Sequence, residues 1–374
     1  MKKKILFFCT LDLTIESFCK EHILELSRNN LVTVLTKKTK NRKIFNNQNI
    51  EEINIDIRRN ISFLNDLKLI FILFNFFRKN KFNMIVTLTP KAGFLGSFVA
   101  LISFIKIRLH IFTGQVWATE KGLFKLFLIF CDKCIIFFST NILFDSKSQL
   151  EFVRNILNIK QNNLFIHNGS INGVDTSRFK RIKKIRSSYR KSYGIKKKDI
   201  VFLYVGRLNY QKGVDMLIDN FYTISKKNAS KMWLFLVGND ESEIKNNYKH
   251  ISNVKFHDFT NKLDKFYQIA DIFCSFSKRE GFGVSIIQAS SYSLPIVCSD
   301  IYGFKDSVKN NFTGLKFYLK NQRSIIKKLL LIVDNKNLRE KLGSNGRKFI
   351  QEKFEKKVVI KKYSNYFNRL VNKS

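Results

Sequence analysis

The sequence predicts an α/β protein made of two doubly wound, Rossmann-like domains. Three observations carry that expectation. Short apolar runs of strand length alternate with segments of helical spacing, which implies parallel strands covered by helices on both faces. The alternation occurs twice, on either side of one dense basic stretch. At 374 residues and 45% hydrophobic composition, the chain is too long for one ordinary core and apolar enough for two.

The first series opens with "KILFFCT" (4–10), an apolar strand. Three lysines ahead of it imitate a signal peptide, but Asp12 and Glu16 interrupt the apolar run and no small-residue cleavage site follows, so a secretory leader is not expected. "IESFCKEHILELSRN" (15–29) has helical spacing through Phe18, His22 or Ile23, and Leu26. Strands follow at "LVTVLTK" (31–37), "MIVTLTP" (84–90), "IRLHIFT" (107–113) and "TNILFDS" (140–146), and His110 is expected to lie within its strand.

Between these strands stand three phenylalanine-rich stretches, 67–77, 94–105 and 123–138, each too short or too charge-broken to span a bilayer. Arg78, Lys79, Lys81, Lys106 and Arg108 lie beside them. Two readings stand: buried elements of an α/β core, or a surface resting on anionic lipid, where basic and aromatic positions combine.

Residues 167–199 change the character of the chain, with 11 basic positions among the 21 from Arg178 to Lys198, and read as a linker plus a solvated helix. The alternation then restarts with strands at 200–206, 233–239, 254–259, 272–277 and 295–300. Helices are expected at 214–227, 264–270, 284–293 and over most of 321–370. The expected division is 1–172, 173–350, and a final helix over 351–374 that packs back on the first domain.

A formal charge of +38 suggests a polyanionic partner. Abundant lysine, asparagine, isoleucine and phenylalanine, with proline only at Pro90 and Pro295, are what an AT-biased genome produces without selection for binding, so nucleic acid is not the expected partner. Six cysteines do not make a disulfide framework at this length, and the Cys131/Cys134 pair lacks the second pair a zinc site needs. Reduced thiols in a cytoplasmic protein, and no bound metal, are expected.

Ligands in open parallel sheets sit outside the carboxyl ends of the strands. "VGRLNYQKGVDMLI" (205–218) leaves a strand at Gly206 and enters a helix near Val214, so Arg207 and Lys212 flank one loop at such an end. A guanidinium fork and a mobile ammonium together suit a diphosphate. "EGFG" (280–283) puts a carboxylate, Glu280, beside two glycines that let a ligand approach the backbone, and a helix beginning near Val284 adds free N–H groups. Gln288 lies one turn in, and an amide with a carboxylate can bind the vicinal hydroxyls of a sugar or a ribose.

The set "HNGSINGVDTSRF", "VGRLNYQKG" and "REGFGVSIIQAS", in that order, resembles family 4 glycosyltransferases, retaining enzymes of the GT-B fold in which two Rossmann-like domains face a central cleft. "TLTPKAGFLGS" and "FTGQVWATEKG" resemble the bacterial capsule and O-antigen branch. The resemblance implies that Arg207 and Lys212 hold the donor diphosphate and that Glu280 contacts the transferred sugar. Gly281, Phe282 and Gly283 would line its pocket, with Gly206 and Val284 beside the nucleotide, and the expected donor is a UDP-sugar. Gln288 stands where the family usually has a glutamate on the ribose; it is expected to donate to one hydroxyl and accept from the other. Thr113, Gly114 and Gln115 occupy the acceptor-side loop where many members carry a histidine, and the family's glycine pair after the first strand is absent.

No Asp-x-Asp motif occurs, so a metal-independent transferase is expected, using a nucleotide-sugar co-substrate and no cofactor. The resemblance implies a hexosyl- or N-acetylhexosaminyltransferase acting on a lipid-linked saccharide from the inner face of the plasma membrane, with the departing phosphate assisting deprotonation of the acceptor. The alternatives are a polyanion-binding protein and a catalytically silent homologue.

Overall fold

The computed structural model describes residues 2–39, 42–160, 164–227 and 231–373. They form two compact units, Met1–Asn172 with Lys357–Ser374, and Gly173–Lys356.

The first unit is a six-stranded parallel sheet of β1 (Lys4–Leu11), β2 (Leu31–Lys37), β3 (Ile50–Asn54), β4 (Met84–Leu88), β5 (Ile107–Phe112) and β6 (Asn141–Phe144). Its order is β3-β2-β1-β4-β5-β6, so the winding reverses between β1 and β4. β3, "IEEIN", lies outside the expected strands because a short, half-exposed edge strand carries no long apolar run. The helix expected over 15–29 is α-helical only from Lys20 to Leu26 and is preceded by a π-turn, Ile15–Cys19.

Alternate side chains of β1 point to opposite faces. Ile5 and Phe7 pack with Ile23 and with Val359, Tyr363 and Phe367 of the helix Lys356–Val371. Leu6 and Phe8 pack with Leu69 and Leu73 of the helix Phe63–Asn80 and Leu95 of the helix Pro90–Ile102.

That second face carries the phenylalanine-rich stretches, and burial is only half their story. Helix Phe63–Asn80 turns Phe63, Leu67 and Phe71 outward, and helix Gly122–Phe138 does the same with Leu123, Leu126, Phe130 and Phe137, the last of them 79% exposed. Pro90–Ile102 lies between the two helices and touches both. Exposed cations, Lys68, Arg78, Lys79, Lys121 and Lys133, interleave with these stripes. Among the described residues no helix is long and apolar enough to cross a membrane.

The second unit repeats the plan with β7 (Ile200–Val205), β8 (Met232–Val237), β9 (Val254–His257), β10 (Ile272–Ser275), β11 (Ile296–Ser299) and β12 (Gly314–Phe317), all parallel, in the order β12-β11-β10-β7-β8-β9. β12 is a further edge strand of four residues outside the expected set. The winding here reverses between β7 and β10.

The basic stretch is not simply solvated. In the helix Lys183–Ser192, Arg186 and Arg190 bind both oxygens of Asp271, at 2.6 and 3.0 Å. Together with Arg181 they also donate to the carbonyls of Gln268, Ile269 and Ala270 at the end of the helix Asp264–Ile269. Arginines thus supply the acceptors' partners at that helix terminus, where a positive charge is favoured. The unit runs to Lys356 because Val174 N donates to Phe354 O (2.9 Å) and Lys356 N to Val174 O (3.0 Å), with Phe349, Ile350 and Phe354 packed around Phe282.

All six cysteines are free thiols, and burial pushes the pKa of Cys9 and Cys298 up to about 12.

Candidate active site

The loops that follow β7 and β10 meet at the reversal point of the second sheet, where a doubly wound fold leaves a crevice. Lys278 N donates to Gln211 O across them at 3.0 Å. The β7 loop turns into a short 3-10 segment, Tyr210–Lys212, whose N-cap Asn209 accepts from Lys212 N at 3.0 Å. It ends at Gly213, with φ of 63°, where an added Cβ would run into the Phe276 carbonyl. Only glycine fits both the left-handed conformation and that approach.

Lys212 and Glu280 are brought together: Nζ donates to Oε1 at 2.5 Å, with the side chains 18% and 22% exposed. Ser277 Oγ donates to the same oxygen at 3.0 Å. Arg207 is more open and donates through Nη1 to Glu241 at 2.8 Å, while Asn209 Nδ2 donates to Glu241 Oε2 at 2.8 Å. Gly206 carries Arg207 past Tyr204, whose hydroxyl donates to the Arg207 carbonyl at 2.9 Å. Burial, and next the charge of Glu280, hold the Tyr204 phenol well above its ordinary pKa, so it stays protonated. Two cations and two carboxylates therefore share the loop ends. An incoming diphosphate would take up the remaining guanidinium and ammonium hydrogen bonds, and a sugar hydroxyl would compete for Glu280.

The "EGFG" turn enters the helix Val284–Ser291 through Gly283 at φ 90°, where a Cβ would stand 2.8 Å from the Phe304 ring. Val284 begins the helix, and its first-turn N–H groups are those that a helix leaves without internal acceptors. Gly281 and Gly283 are buried backbone of this turn. Phe282 is placed differently from the expectation that it lines a pocket. Its ring is buried against Phe354, with centroids 5.0 Å apart, so it anchors the turn from beneath.

Gln288 is half-buried and makes no hydrogen bond with Glu280; instead its Oε1 accepts from the Tyr267 hydroxyl at 3.2 Å. Its amide oxygen thus already holds one partner within the protein and, with two lone pairs, keeps a second acceptor position, while Nε2 keeps its donors.

In the first unit, Thr113 and Gly114 leave the carboxyl end of β5 half-buried, but Gln115 is 1% exposed and accepts from Gln149 Nε2 at 3.0 Å. Its amide secures the loop from within rather than reaching outward. Two residues later Trp117, also buried, donates from its indole to Asp132 Oδ2 at 2.7 Å and stacks on Phe152. His110 lies inside β5, bonded to Thr87 Oγ1 at 2.8 Å, and burial lowers its pKa to about 3, a neutral core histidine.

Sequence reasoning missed Glu241, Asn209, Ser277, Tyr267 and Asp132. No motif marks them. Asn209 alone had a signal, as an N-cap type three residues before Lys212.

Residues 185–349, most of the second unit, match the family described as glycosyl transferases group 1. A capsular polysaccharide biosynthesis glycosyltransferase, CapM of Staphylococcus aureus, is 28% identical over 329 residues, 86% of this chain and 85% of that protein. The second unit carries a group 1 glycosyltransferase domain, and the chain is a glycosyltransferase. This glycosyltransferase is also 27% identical, over 84% of its length and 83% of the other's, to the Escherichia coli UDP-Gal:alpha-D-GlcNAc-diphosphoundecaprenol alpha-1,3-galactosyltransferase. Its fold is that of the sucrose-phosphate synthase of Thermosynechococcus elongatus, with a TM-score of 0.84 at 17% identity over the whole of both chains.

Proposed function

We propose that this glycosyltransferase moves a hexosyl or N-acetylhexosaminyl unit from a UDP-sugar to a lipid-linked saccharide during cell-surface polysaccharide synthesis, with retention of configuration. The observation that carries the reading is the Lys212–Glu280 pair beside Arg207 at the reversal point of the second sheet. Arg207, Lys212 and the first turn of Val284–Ser291 hold the diphosphate and stabilise the charge that develops on the leaving group, which is why no metal is required. Glu280 orients the sugar, and the backbone of Gly206, Gly281, Phe282 and Gly283 admits the nucleotide. Thr113 and Gly114 face the acceptor, with Gln115 supporting them. The names of the two relatives support the substrate classes: one is a capsule glycosyltransferase and the other uses UDP-Gal and a diphosphoundecaprenol acceptor.

The outward stripes of Phe63–Asn80 and Gly122–Phe138, with their interleaved lysines and arginines, support peripheral docking on the inner face of the plasma membrane. Each cation near an anionic surface adds about 1 kcal/mol. Sedimentation with anionic vesicles, reduced by salt and by Phe71→Ser with Phe130→Ser, is expected; equal indifference to anionic and neutral vesicles overturns the docking.

The donor reading is tested by thermal stabilisation with UDP-, GDP- and dTDP-sugars, since a ligand at 100 times its Kd adds about 2.7 kcal/mol. A shift with UDP-sugars alone is the expected result. No shift with any of them refutes it.

A further inference from the structure

The pairing of Gln288 with Tyr267 has a direction. Tyr267 belongs to the helix Asp264–Ile269, is 1% exposed, and stacks on Tyr292 with centroids 5.0 Å apart and rings 9° from parallel. Tyr292 in turn donates to Asp264 Oδ1 at 2.5 Å, so the Tyr267 ring is held in a fixed layer. Burial raises the Tyr267 pKa, and the phenol keeps its proton. A buried hydroxyl proton needs an acceptor, and among the described residues the recorded one is Gln288 Oε1. The amide oxygen of Gln288 is therefore turned inward, and its Nε2 hydrogens are the ones presented to the half-exposed side.

We propose that Tyr267 is a positioning residue that holds the Gln288 amide with its oxygen inward and Nε2 outward, so that position 288 reads an oxygen acceptor on the nucleotide, a ribose hydroxyl oxygen, chiefly as a donor. The inference rests on the reading that a UDP-sugar lies over Val284–Ser291. It distinguishes Gln288 from a carboxylate there, which could accept from Tyr267 with one oxygen and from ribose with the other.

The test is calorimetric titration of the full chain with UDP and with 2′,3′-dideoxy-UDP, for the unchanged protein, Tyr267→Phe, Gln288→Ala, Gln288→Glu and the Tyr267→Phe/Gln288→Ala double variant. One neutral hydrogen bond corresponds to about a two- to tenfold preference for UDP in the unchanged protein. Tyr267→Phe keeps the ring and its stack, and should bring that ratio close to the ratio of Gln288→Ala while leaving dideoxy-UDP affinity unchanged. The double variant should match Gln288→Ala alone, and Gln288→Glu should raise the ratio. A Tyr267→Phe protein with the original ratio overturns the proposal, as does one that loses affinity for both nucleotides equally, which is what a purely structural role produces. Absence of UDP binding by the unchanged protein overturns the nucleotide-sugar reading and this inference with it.

Discussion

Asp132→Asn isolates the effect of one buried carboxyl on stability. Asp132 is 6% exposed on the inner side of Gly122–Phe138, with the Trp117 indole as its hydrogen-bond donor. Burial pushes its pKa from an ordinary 3.8 up to about 7, against the lowering effect of the Trp117 bond. The folded state thus binds the proton more tightly than the unfolded chain. Its contribution is full below about pH 4 and is lost as pH rises through about 7, after which it stays flat. A rise of about three units corresponds to about 4 kcal/mol in all, of which about 2–3 kcal/mol falls between pH 5 and pH 8. Asparagine keeps an acceptor for the indole and does not titrate. Scanning calorimetry of both proteins at pH 5 and pH 8 should show the unchanged protein losing about 5–10 °C more than the variant over that interval. Identical pH responses would refute the assignment of a proton to Asp132 at low pH.

Arg207→Ala should cut turnover by at least tenfold while leaving the melting temperature nearly unchanged, since the side chain is surface-exposed and a charged phosphate contact is worth about 1.5–3 kcal/mol; normal turnover removes it from the site. Turnover should persist in excess EDTA, and complete loss restored by magnesium or manganese would contradict the metal-free clamp. Gly213→Ala should cost at least about 1–2 kcal/mol through its left-handed backbone and weaken UDP binding through the neighbouring Lys212. A variant as stable and as tight-binding as the parent would show that the turn tolerates a side chain.

The parallel sheets were legible because β1, β4, β7 and β10 are buried on both faces and so read as continuous apolar runs. Edge strands β3 and β12 were not, since one polar flank leaves too few apolar residues to stand out. Arg186 and Arg190 show why the basic stretch misleads: a charge run does not say which side chains turn inward, and Asp271, which decides it, lies some eighty positions away. The loops after β7 and β10 stand out in sequence through glycines and cations next to strand ends. Tyr267 was invisible for the opposite reason, as an aromatic in a helical apolar pattern reads as core until its hydroxyl is seen to meet Gln288.

The helix Lys356–Val371 completes the first unit's core only after the whole of Gly173–Lys356 has been made. At a synthesis rate of about 5–20 residues per second, roughly 10–40 s pass between the emergence of the first unit's sheet and the arrival of Val359, Tyr363 and Phe367. For that interval one side of Ile5, Phe7 and Ile23 has no lid, while the second unit, continuous in sequence, can close its own core as it leaves the ribosome. The second unit, though translated later, can thus complete its core before the first.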